Sequence, residues 1–213
     1  MTDKLNKYQY FNIEKIVQTF AYLQRLSGTT SKLALIKYLF FADRLHLRRH
    51  LTLISHDIYY AFKLGPVATS ALDVLNVNKE YLDNFSTDEL FHLEKIKKIN
   101  QGTRIINETG TDLLSKNELE SLDFSVNTFK GCNLVNISHD YPEWKRYENL
   151  FNDHLVNKEP ILISDFFTNP DMNNSPALKK YFNGIDPMFE DEEYLQEAGK
   201  FYLERPGTGN VQR

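Results

Sequence analysis

Between residues 11 and 26 the apolar side chains include Ile13, Ile16, Val17, Phe20, Leu23 and Leu26. That recurrence every three to four residues predicts an amphipathic helix with one inward stripe. The pattern then changes kind. After the short connection Ser27-Gly28-Thr29-Thr30, residues 33–42 read Leu-Ala-Leu-Ile-Lys-Tyr-Leu-Phe-Phe-Ala, with Lys37 their only charge. A helix apolar on all sides is a buried one, and ten residues are too few to cross a bilayer. Ser31, or Thr30 before it, can cap its start by accepting a backbone N–H. The fold should be organised around this second helix, with the first packed beside it because the loop between them is short. From Asp43 the sequence turns to Asp-Arg-Leu-His-Leu-Arg-Arg-His. Its cations gather where a helix C-terminus carries partial negative charge, and the helix is expected to leave the core there.

Residues 57–63, Asp-Ile-Tyr-Tyr-Ala-Phe-Lys, have the composition of a short strand, which Gly65-Pro66 should stop; residues 67–75 resume a helical pattern. A polar surface excursion is expected over 76–85, ahead of a capping box at Ser86-Thr87-Asp88-Glu89. Residues 103–114 read as a strand or hairpin, a natural partner for 57–63. A second capping box, Ser115 to Glu118, opens a helix over 118–129 with Leu119, Leu122, Val126 and Phe129 on one side, and Ser138 is placed to cap a further helix carrying Trp144 and Leu150. Beyond Pro160 the chain is turn-rich, with a short helix expected over 177–182, a last one over 191–203, and a disordered end over 205–213. The fold class is mainly α (α+β): a compact helical domain over residues 1–160, around a buried central helix with a small antiparallel sheet or hairpin. Residues 161–213 form a C-terminal extension.

Composition narrows the function classes. At 41% hydrophobic and 13% aromatic over 213 residues, the chain can fill one core and is not globally disordered. Residues 1–185 balance 22 acids against 22 bases, whereas residues 186–213 hold seven acids and three bases, giving a net charge of −4. Binding to phosphate backbones usually needs a surplus of bases, so nucleic acid is not expected as the main partner, although a local basic patch stays open. The lone cysteine, Cys132, excludes an intramolecular disulfide and disfavours a thiolate zinc site. Neither a signal peptide nor a membrane span is visible, and a cytoplasmic protein is expected.

Asp43, His46 and His50 line one side of a helix end, and His46 with His50 has the spacing of a metal-binding pair. Leu47 stands where an H-E-x-x-H motif needs glutamate, and Arg48 and Arg49 would repel a cation. Helix-end charges and hydrogen bonds are the plainer role, with a metal-dependent hydrolase as the alternative. Cys132 has no nucleophile signature around it, no G-x-S-x-G elbow or Gly-rich phosphate loop occurs, and no cofactor is implied. Lys37 fits either a cation held near an acid such as Asp43 or a side chain that snorkels to the surface. Lys63 reads as the outward residue of a strand, and His139 and Trp144 as core packing with a backbone hydrogen bond.

Three stretches together resemble a known family. Lys37-Tyr-Leu-Phe-Phe-Ala-Asp43-Arg-Leu-His46, then Asp57 with its aromatic strand running into Ala61-Phe-Lys63-Leu-Gly65-Pro66-Val67, then Leu119-Glu-Ser-Leu-Asp123 with Ile137-Ser-His139 and Pro142-Glu-Trp144, are similar to the signature of the Panacea, or SocA-like, phage-associated antitoxins. The likeness covers roughly residues 13–155. It implies a noncatalytic protein that neutralises a cognate toxin, usually encoded by the adjacent gene, by direct binding, and in some members hands it to a protease. The residues it singles out for partner binding are Lys37, Asp43, His46, Lys63, Gly65, Pro66 and Val67. A phage-linked adaptor or regulator without a toxin is the other alternative. Self-association is left open, and the acidic extension is expected to influence toxin choice.

Overall fold

Caps fix the first two helices. Helix α1 (Ile13–Ser27) starts where the Asn12 side chain accepts from Lys15 N–H and ends at Gly28, whose φ of 74° closes the last turn. Helix α2 (Lys32–His50) is capped by Ser31, which accepts from Ala34 N–H. The computed structural model describes residues 10–78, 80, 85–100, 102–106 and 109–205. Among these, no helix is long and apolar enough to cross a membrane.

Helix α2 is the axis of the molecule, and it does not leave the core at Asp43: Asp43, Arg44, His46 and Arg48 are all buried. The charges stay inside because distant segments bring partners to them. Arg44 pairs with Glu143 and donates to Thr168 O, and Arg48 donates to Met188 O at 2.6 Å and Asn169 Oδ1 at 2.5 Å.

Strand β1 (Tyr59–Phe62) follows, and Gly65-Pro66 reverses the strand instead of stopping it. Strand β2 (Gly65–Ala68) pairs antiparallel with β1, Phe62 opposite Gly65 and Ala61 opposite Pro66. Neither Lys63 nor Leu64 has positive φ, and the reversal relies on φ +98° at Gly65. Proline is tolerated because β2 is an edge strand and needs no donor on its outer side.

Next come α3 (Thr69–Asn76), α4 (Thr87–Phe91), β3 (Ile96–Ile99), β4 (Gly102–Ile105), α5 (Lys116–Phe129), α6 (Leu134–Asp140), α7 (Pro142–Lys145), α8 (Glu148–Asn152), β5 (Lys158–Pro160), α9 (Pro176–Phe182) and α10 (Glu192–Glu204). Both expected capping boxes are present, Ser86 with Glu89 and Ser115 with Glu118. Much of the expected 76–85 excursion, and all but Arg205 of the expected disordered end, lie outside the described residues. Two expectations change. Strand β4 pairs with β3, while β1 is flanked by β2 and β5; Thr103 N–H donates to Thr30 O, and the Gln24 carboxamide bonds Thr103 O and Ile105 N, holding the ribbon against the α1–α2 loop. Helix α6 is capped by Asn133, with Ser138 inside it donating to Val135 O, and Trp144 and Leu150 fall on two separate short helices, α7 and α8.

The core is aromatic. Phe41 stacks on Phe129 of α5 with centroids 4.1 Å apart, and Phe40 meets Tyr59, Tyr141 and Phe166 edge-on. Burying each such side chain contributes roughly 1.5–3 kcal/mol. Ile161, Phe166, Leu178, Met188 and Leu195 join the same buried cluster, so residues 161–205 help to close the core around α2.

Candidate functional site

Lys37 points from α2 toward the β1–β2 hairpin. Its side chain is completely buried and Nζ donates to Pro66 O at 2.8 Å. It therefore neither snorkels to solvent nor serves Asp43. Burial lowers its pKa to about 7, since desolvation disfavours the charged form. Nζ can approach because residue 65 is glycine: a Cβ there would collide with Ser138 Oγ and lie 2.5 Å from Nζ.

Helices α6 and α7 close over the same hairpin. Trp144 Nε1 donates to Phe62 O at 2.8 Å, and the His139 ring stacks on Trp144 with centroids 3.6 Å apart. Burial, reinforced by the nearby cations Lys37 and Lys145, pushes the His139 pKa down to about 4, leaving the ring neutral at pH 7. Its Nε2 atom is buried without a hydrogen-bond partner.

Asp43 organises the approach to β1. Its carboxylate accepts from Ser55 N–H at 3.1 Å, Ser55 Oγ at 2.5 Å and the Tyr59 hydroxyl at 2.7 Å. Burial outweighs these bonds and raises its pKa to about 6. His46 Nδ1 donates to Thr52 O at 2.8 Å, and its ring lies 4.7 Å from that of His50. With Asp43 committed to Ser55 and Tyr59, the three residues do not converge. Among the described residues, no group of three or more His, Cys, Asp or Glu side chains could hold a metal ion, so the hydrolase alternative loses its proposed ligand set.

The family model described as "Antitoxin SocA-like, Panacea domain" matches residues 35–145, just over half of the chain. The chain belongs to the SocA-like Panacea-domain antitoxin family. No curated protein and no solved structure matches it.

In this SocA-like chain the matched stretch contains the buried machinery just described: α2 from Leu35, the hairpin, and α5 to α7. Of the seven residues singled out from sequence, Lys37, Asp43, His46, Gly65, Pro66 and Val67 are buried, and Lys63 is exposed. Beside Lys63 at the hairpin tip, Leu64 is 53% exposed. Tyr60 and Phe62, half-buried on the outward side of β1, extend this surface, with Lys158 Nζ 5.1 Å from the Tyr60 ring. Sequence reasoning missed the Arg44–Glu143 pair and the Tyr141–Asp186 hydrogen bond of 2.8 Å that adjoins it. The one signal for the first was that Arg44 and Glu143 both lie inside the quoted motifs.

Proposed function

We propose that this chain is an antitoxin that neutralises a cognate protein toxin in the cytoplasm by direct binding, and that it works through an interface and not through catalysis. The observation that carries the reading is the family match over the central helix, the hairpin and the closing helices. The contact surface is the hairpin tip, Lys63 and Leu64, with the outward side of β1. A tip residue can be exposed and still be held in one geometry when the strands behind it are anchored. Here Lys37 anchors β2 through Pro66 O, and Trp144 anchors β1 through Phe62 O. The buried motif residues Lys37, Asp43, His46, Gly65, Pro66 and Val67 shape and stiffen that surface from beneath. Residues 161–205 tune toxin choice from the edge of the same body.

The test is growth rescue. The product of the adjacent gene is induced in a bacterial host with the wild-type chain or with the Lys63→Glu/Leu64→Asp variant. The wild type is expected to restore growth, and the variant, whose changes are confined to two exposed side chains, is expected to lose rescue while keeping its urea midpoint. Full rescue by the variant would exclude the tip as the contact surface.

A further inference from the structure

Between Glu94 and Glu108 the chain carries Lys95, Lys97, Lys98 and Arg104 and no acid. The β3–β4 ribbon gathers these cations in space. Lys97 stands directly opposite Arg104 in the register, and the inward positions Ile96, Thr103 and Ile105 are buried. Alternation along each strand therefore turns Lys97 and Arg104 to the outer face, where both are exposed. Ile106 N–H donates to Lys95 O at 3.0 Å, which extends the ladder and brings Lys95 to the same face. Lys98, also exposed, lies near Lys32, whose pKa is lowered by partial burial and by that neighbouring charge.

Like charges directly opposite each other on an antiparallel pair are destabilising, and no acid relieves this pair. Among the described residues, no hydrogen bond or ion pair engages the side chain of Lys95, Lys97, Lys98 or Arg104. Lysines on an exposed edge strand discourage edge-to-edge pairing, but that role accounts only for β3. The outer edge of β4 is already covered by the α1–α2 loop, through Thr103 N–H to Thr30 O and the Gln24 carboxamide. Gly102 lies so close to this loop that a Cβ would collide with Thr30 O, so the ribbon and its cations are held in place before any partner arrives.

A strip of one sign with no acid interleaved complements a uniform polyanion better than a protein surface, where both signs are mixed. Two strands about 4.8 Å apart and about 13 Å long match the major groove of B-form DNA, which is about 12 Å wide and admits a two-stranded ribbon. We propose that the outer face of the β3–β4 ribbon binds duplex DNA, with Lys95, Lys97 and Arg104 toward the phosphates that border the groove and Lys98 reinforcing them. Such contacts position a protein on the duplex without reading its sequence. The acids of α10 do not cancel the ribbon's field. They sit at the other end of α2, where the Tyr194 hydroxyl donates to Arg48 O, and from Lys32 to Arg48 that helix rises about 24 Å, against a screening length of about 10 Å at 0.1 M salt. This surface is separate from the hairpin tip, and its assignment does not rest on the antitoxin reading.

The full chain would be titrated into a fluorescently labelled DNA duplex of about 20 base pairs and mixed sequence, and followed by anisotropy between about 30 and 200 mM salt. The expected Kd is on the order of 10 µM at the lowest salt. The logarithm of the binding constant should fall against the logarithm of salt with a slope of about −3 to −4, roughly 0.9 for each of four cations. Lys97→Gln/Arg104→Gln should weaken binding about ten-fold or more and roughly halve the slope. Lys180→Gln/Lys200→Gln, which changes two exposed lysines outside the ribbon, should bind as the wild type does. Unchanged urea midpoints would show that these surface substitutions leave the fold intact. No salt-dependent binding, an unchanged affinity or slope in Lys97→Gln/Arg104→Gln, or an equal loss in Lys180→Gln/Lys200→Gln would overturn the proposal. So would competition by polyglutamate as effective as that by unlabelled duplex, which would assign the ribbon to an acidic protein segment instead.

Discussion

Replacing Gly65 by alanine perturbs the most crowded point behind the hairpin. The residue sits at φ +98°, a conformation that costs a side-chain-bearing residue roughly 1–2 kcal/mol. The new methyl would collide with Ser138 Oγ and come within 2.5 Å of Lys37 Nζ. Lysine cannot keep its 2.8 Å bond to Pro66 O while yielding that space, and losing a buried hydrogen bond of this kind costs about 1.5–3 kcal/mol. The sum is roughly 3–5 kcal/mol. Against a typical stability of about 5–15 kcal/mol the variant still folds, and with a urea slope near 3 kcal/mol per molar its midpoint falls by about 1–2 M. Trp144 fluorescence reports the transition. In a Lys37→Ala background, which removes one of the two colliding groups, the cost of Gly65→Ala should drop by about 1 kcal/mol or more. A cost below about 1 kcal/mol in the wild type, or strict additivity of the two changes, would refute the reasoning.

Three further outcomes follow from the same packing. Lys37 titrates near 7 when folded and near 10.5 when unfolded. Between those values the unfolded chain holds a proton that the folded one has released, so this residue makes stability rise with pH from 7 to 10.5, by on the order of 5 kcal/mol, while its full burial cost applies below 7. Lys37→Met should flatten that slope, as a pH series of urea midpoints would show. Asp43, raised to about 6, acts with the opposite sense, costing stability as pH climbs from 4 to 6; Asp43→Asn should remove that loss. Glu143→Ala leaves Arg44 buried without its carboxylate and should cost about 3–5 kcal/mol in equilibrium unfolding.

What could be read from the sequence was local. The apolar stripe from Ile13, the cap at Ser31 and the two capping boxes depend on residues within a few positions of one another, and all appear in the structure. What could not be read depended on partners far along the chain. Arg44 and Arg48 look like a solvated helix end until Glu143, Thr168 and Met188 are brought to them from about a hundred residues or more away. Strand β5 is three residues long with a proline, too short to show alternation, yet it takes the place beside β1 for which the pattern at residues 103–114 is the more visible candidate. The site followed the same rule. Lys37 stood out as the only charge in an apolar run, but its acceptor is a backbone carbonyl, which leaves no mark in a sequence. Gly65 was legible as a turn residue; the contacts that require a glycine there come from Ser138 of α6 and Lys37 of α2.

If this chain neutralises a toxin by binding it, the two should form a complex that restores growth. The most direct measurement is to co-express the chain with the adjacent gene's product, score growth, and pass the lysate over an affinity tag on one partner. A stable complex at fixed stoichiometry together with restored growth is the expected result. Toxicity that persists with the chain abundant, folded and unbound would contradict the account.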